Sequence, residues 1–102
     1  MHSVVLRIAP EHPAFAGHFP GQPLLPGVVL LSEVLEAALA EPALARVLGA
    51  CPRIGVAKFL APVRPGAELT LQLTAGERGL RFEVRAGERL AASGSFEAGA
   101  TL

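Results

Sequence analysis

Between Val28 and Glu41 the only polar side chains are Ser32, Glu33, Glu36 and Glu41. Leu, Ala and Glu dominate the whole run from Val28 to about Leu48, and all three favour helix. Pro26 and Gly27 suit its start, because a first-turn residue loses nothing by lacking an N–H. Pro42 interrupts the run, so the main helix ends near Glu41 and a short second one covers Ala43 to Leu48, stopped by Gly49. A helix this apolar is expected to be buried on most sides. It needs a sheet wrapped around it, and that requirement limits the fold more than any other feature of the chain.

The flanking segments supply the strands. Residues 2–9 are rich in β-branched and aliphatic side chains and stop at Pro10. Arg53 to Leu60 alternates loosely and stops at Ala61-Pro62, and Val63-Arg64-Pro65-Gly66 reads as a turn. Glu68 to Thr74 alternates strictly, with leucines on one face. Turns at Gly76–Gly79 and Ala86–Glu88 separate it from Leu80–Arg85 and from a last strand, Arg89 to Ala98. Three hairpin-linked strands after a helix give an α+β class with an antiparallel sheet. The 102 residues make a single domain, 1–102.

Composition narrows the function. Nine basic residues balance nine acidic ones, no two Lys or Arg are adjacent, and Trp and Tyr are absent. Nucleic-acid binding needs a basic footprint that this chain lacks. Apolar runs such as Val28 to Leu31 are far too short to span a bilayer. The start, Met1-His2-Ser3, has no signal-peptide pattern, and one cysteine, Cys51, fits a reducing cytoplasm. Cys51 reads as a small buried or interface thiol. With 51% hydrophobic residues and a mean hydropathy of +0.45, the chain holds more apolar surface than a small monomer hides. A homo-oligomer is the simplest resolution. No His, Cys, Asp or Glu cluster has metal-ligand spacing, and no Gly-rich strand–turn–helix motif supports a nucleotide site.

The chemistry concentrates in residues 17–31. His18 sits among Pro20, Pro23 and Pro26, in a 10–26 stretch holding five prolines and two glycines that reads as an ordered loop. That loop opens into the apolar helix through Pro26-Gly27. A histidine held beside a helix N-terminus suits a general base next to an anion or carbonyl site. His12 and His2 read as surface residues.

The run His18-Phe19-Pro20-Gly21-x-Pro23-x-x-Pro26-Gly27-Val28 resembles the signature of hotdog-fold 3-hydroxyacyl-acyl-carrier-protein dehydratases, in particular the FabZ-like branch. Phe59-Leu60-Ala61-Pro62-Val63-Arg64-Pro65-Gly66 is similar to a second segment of that family. The resemblance implies a hotdog fold, in which an antiparallel sheet curls around one central apolar helix and two subunits pair edge to edge. It implies dehydration of 3-hydroxyacyl thioesters to trans-2-enoyl thioesters, in fatty-acid or polyketide-like biosynthesis. The substrate would ride on the phosphopantetheine of acyl carrier protein, with no cofactor of the enzyme's own. His18 would take the Cα proton. Amides near Gly27 and Val28 would hold the thioester carbonyl, and Phe19 and Ser32 would line the substrate site.

The chain departs from that pattern at one position. The family's catalytic carboxylate stands fourteen residues after the motif histidine, where this chain has Ser32. Glu33 is adjacent and points about 100° around the helix. Glu36 lies on Ser32's face, roughly 5–6 Å along. Three readings stay open: Glu36 replaces the acid, a local shift brings Glu33 inward, or no carboxylate of this chain takes part. The last would make the protein a slow dehydratase, a non-catalytic acyl-thioester-binding subunit, or one completed by a paralogue in a heterodimer. An acyl thioesterase is the remaining alternative, since hotdog folds also host thioesterases. Lys58 and Arg64 read as solvated charges that could also meet an acidic carrier protein.

Overall fold

The computed structural model describes residues 1–13 and 25–99. Its elements run β1 (His2–Arg7), α1 (Gly27–Leu39), α2 (Pro42–Leu48), β2 (Arg53–Phe59), β3 (Glu68–Ala75), β4 (Gly79–Ala86) and β5 (Arg89–Glu97). The five strands form one antiparallel sheet in the order β1-β3-β4-β5-β2. Hairpins join β3 to β4 and β4 to β5, while β1 adds to one side with Val4 opposite Leu71 and Leu6 opposite Leu69.

Strand alternation produces the inner face. Leu69, Leu71 and Leu73 of β3 are buried, as are Leu80, Phe82 and Val84 of β4, with polar residues between them. The rings of Phe82 and Phe96 stack with centroids 5.1 Å apart. Leu30, Leu31, Val34 and Ala38 of α1 join this core, together with Leu44 and Leu48 of α2. Gly94 on β5 lets β2 come close: a Cβ there would stand 2.0 Å from the Val56 carbonyl oxygen and 2.9 Å from the Phe82 ring.

The helix break falls where Pro42 predicts it, with Pro42 opening α2. The main helix closes two residues short of Glu41, and the Glu41 N–H bonds back to Ala38 O. Gly49 ends α2 at φ +72°, a conformation that favours glycine, and its N–H donates to Ala45 O. β1 stops at Arg7 rather than at Ala9. Ile8 is still held, its N–H donating to Ala67 O and its carbonyl accepting from Gly66 N.

Two expectations need correction. α1 is buried along one stripe rather than on most sides: Val28 is 70% exposed, and Ser32, Glu36 and Leu39 are also exposed. A single sheet has one inner face, so it covers only the stripe turned toward it. Of the two readings of Cys51, burial within the chain fails: the thiol is exposed in the link between α2 and β2, as an interface thiol would be in a single chain. The surplus apolar surface has a definite place. β2 is an edge strand, and Ile54, Val56, Phe59 and the following Leu60 are all more than half exposed. Among the described residues no helix is long and apolar enough to cross a membrane.

Candidate active site

α1 starts without a side-chain cap after Pro26. The N–H groups of Val29 and Leu30 both turn back to Pro26 O. The amides of Gly27 and Val28 have no acceptor among the described residues, as expected for the first turn of a helix. Aligned peptide dipoles leave partial positive charge there, which favours a carbonyl or anionic oxygen.

The segment after β2 forms the opposite wall. Leu60 and Ala61 N–H both donate to Ala91 O, at 2.8 and 3.2 Å, which pins the chain against β5. Leu25 N–H then donates to Val63 O at 2.8 Å, joining the entry of α1 to that wall. Between them lies an apolar cavity of about 480 Å³, lined by Leu25, Gly27, Leu30 and residues 59–63. The Phe59 ring lies over Gly27, where a Cβ would be 2.7 Å from Cζ. Two stretches far apart in the chain, one holding Leu25, Gly27 and Leu30 and the other Phe59 to Val63, thus line one groove beside the first turn of α1.

The candidate carboxylates differ in surroundings. Glu36 is exposed on the same stripe as Ser32 and Val28. Glu33 is half-buried, and its Oε1 lies 3.0 Å from His12 Nε2. A carboxylate can only accept, so Nε2–H of His12 is the donor when Glu33 is ionised. His12 is therefore not the plain surface residue expected from its place before the motif. Its sequence neighbours carry no sign of a partner 21 residues away. His2 opens β1 opposite Leu73 and is partly buried. Lys58 and Arg64 are exposed. His18 and Phe19, and most of the expected 10–26 loop, lie outside the described residues. Among the described residues no three His, Cys, Asp or Glu side chains group as a metal site would require.

Gly27, in the described end of the first family-like segment, and residues 59–63 of the second line this groove, and comparison with known proteins agrees with the resemblance. The ApeI-like family model, described as ApeI dehydratase, matches residues 1–95. The chain belongs to the ApeI-like family. A similar curated protein is the 3-hydroxyacyl-(acyl-carrier-protein) dehydratase FabZ of Symbiobacterium thermophilum, 35% identical over 82 residues, which cover 74% of this chain and 58% of that one. The chain spans about half the length of the curated relatives it matches. Among solved structures, the dehydratase heterocomplex ApeI:P from Xenorhabdus doucetiae superposes with a TM-score of 0.73 at 29% identity, covering 93% of this chain and 83% of that one. An uncharacterized protein from Erwinia carotovora subsp. atroseptica gives 0.72 at 36% identity, with 93% and 79% covered. The ApeI-like chain has the hotdog fold, its α1 lying on an antiparallel sheet.

Proposed function

We propose that this chain dehydrates 3-hydroxyacyl thioesters carried on acyl carrier protein. The observation that carries the reading is the apolar groove between α1 and residues 59–63, whose lining includes Gly27 in the first helical turn, where the Gly27 and Val28 amides have no acceptor among the described residues. An acyl chain suits the apolar walls, and a thioester carbonyl suits the amides. Holding that carbonyl stabilises the negative charge that develops when Cα loses its proton.

In this mechanism neutral His18 takes the Cα proton. The electron pair of that C–H bond forms the Cα=Cβ bond as the Cβ–O bond breaks. The leaving hydroxyl takes a proton from Glu36 and departs as water, and solvent restores both groups. Glu36 is assigned the acid because it shares the open stripe of α1 with Ser32, the position at which the family pattern has its carboxylate. Phe19 and Ser32 line the substrate site. Two copies pair along β2, whose exposed Ile54 and Val56 become covered by the neighbouring strand.

Ser32 favours a second reading, in which this chain binds the thioester and a paralogous subunit completes the catalytic pair. The relative solved as a dehydratase heterocomplex is consistent with such an assembly.

The test is turnover of a 3-hydroxyacyl-carrier-protein substrate, or hydration of its enoyl form, by the purified chain. His18→Ala, checked for an unchanged assembly state, is the control. His18-dependent turnover supports the enzyme. Full activity in His18→Ala removes that residue from the mechanism. No turnover by the chain alone moves the assignment to the partner-dependent subunit.

A further inference from the structure

The His12–Glu33 contact joins the chain entering residues 14–24 to the helix that leaves them. On the entry side, Ile8 is buried and bonded at both its N–H and its carbonyl to the 66–67 turn. The chain then bends, with His12 N–H donating to Ala9 O at 3.0 Å. The His12 imidazole crosses to α1 and reaches Glu33. On the exit side, Glu33 sits on a helix anchored in the core by Leu30, Leu31 and Val34. The contact therefore references the start of the motif segment to a helix whose position the sheet sets.

A contact spanning 21 residues closes a loop, and its value lies in geometry more than in strength. Both side chains are about a quarter exposed, at 24% and 25%, so water competes for the bond. In the sequence His18 follows His12 by six residues, between the joined flanks, and the Gly27 and Val28 amides belong to the same helix as Glu33. Proton abstraction depends on such placement, because small displacements of a base from the reacting atom slow the step steeply.

We propose that His12 and Glu33 are positioning residues, a clasp that fixes the two described flanks of residues 14–24, the chain at His12 and helix α1, relative to each other. The clasp rests on the dehydratase reading and gives Glu33 a task other than proton donation. Glu33's carboxylate is engaged within the subunit, whereas Glu36 is open.

The test uses the purified full chain with His12→Ala, His12→Gln, Glu33→Ala, Glu33→Gln and the double His12→Ala/Glu33→Ala variant. Dehydratase kcat and KM are measured together with amide hydrogen exchange over residues 13–25. A clasp predicts that each alanine variant loses about tenfold or more in kcat while KM changes less than about threefold. The double variant is no worse than His12→Ala, because His12→Ala already removes the bond that Glu33→Ala removes. The two glutamine variants stay within about threefold of the parent, since an amide can keep the bond. Exchange speeds up within 13–25 in both alanine variants.

Unchanged kinetics in both alanine variants overturn the clasp, and so does exchange that stays at the parent rate. A Glu33→Gln variant as poor as Glu33→Ala, beside a near-normal His12→Ala, would also overturn it and make Glu33 the acid. If the parent chain shows no turnover, the dehydratase reading fails on its own. The exchange measurement then still decides whether the contact orders the segment.

Discussion

The ring of Phe59 rests on Gly27 so closely that a single added methyl would fall 2.7 Å from its Cζ atom. Helix start and β2 end therefore share one packing decision. Because Phe59 is 51% exposed, its ring can swing outward when pushed. Gly27→Ala is expected to leave stability within about 1 kcal/mol of the parent, helix propensity offsetting the displaced ring. It should weaken kcat/KM by reshaping the groove. Adding Phe59→Ala should recover part of that loss, with a coupling on the order of 1 kcal/mol between the two sites. Strictly additive effects would separate the ring from the groove.

The acid assignment predicts a contrast along α1. Glu36→Gln should lose on the order of 10² to 10⁴ in turnover, the usual contribution of a general acid. Ser32→Glu should add little while Glu36 is present. An unchanged rate in Glu36→Gln removes it as the acid, and a rise in Ser32→Glu would show that the chain lacks one. Initial rates on carrier-protein substrate decide between these.

Pairing along β2 predicts that Val56→Lys yields a particle of one chain, 10.6 kDa, where the parent gives at least twice that. Val56 is 54% exposed on the edge strand, so the lysine has room in an isolated chain and loses its solvation only in an assembly. Light scattering after size exclusion reads the mass. An unchanged mass places the interface elsewhere.

Gly94→Ala tests the contact between β5 and β2. The new methyl would meet the Val56 carbonyl oxygen, a backbone atom that cannot rotate away. The expected cost is about 1–3 kcal/mol or more, as for other overpacked sites. That corresponds to roughly 4–8 °C in Tm per kcal/mol for a chain of this size. A Tm within a degree of the parent would mean that β2 shifts freely on β5.

How far the fold and site can be read from the residues varies with the range of the forces involved. Strict alternation in Glu68–Thr74 and Leu80–Arg85 identifies β3 and β4, because burial of one strand face is a local pattern. Pro42 and Gly49 mark the limits of α2 for reasons of backbone geometry alone. Apolar content misleads at α1, whose composition implies burial all round while the sheet covers one stripe. His12 is the clearest omission. Nothing within its neighbourhood foretells Glu33, and a bond between residues 21 apart depends on where the sheet holds α1.

The residues by themselves determined the order of strands and helices, the break at Pro42 and the motif linking His18 to Gly27, because propensity, periodicity and proline geometry act within a few residues. Tertiary structure alone decided which stripe of α1 stays open, that Glu33 rather than Glu36 is held by His12, and that Phe59 covers Gly27. Each of those outcomes depends on the distance between segments far apart in the chain, and packing against the common sheet is what sets that distance.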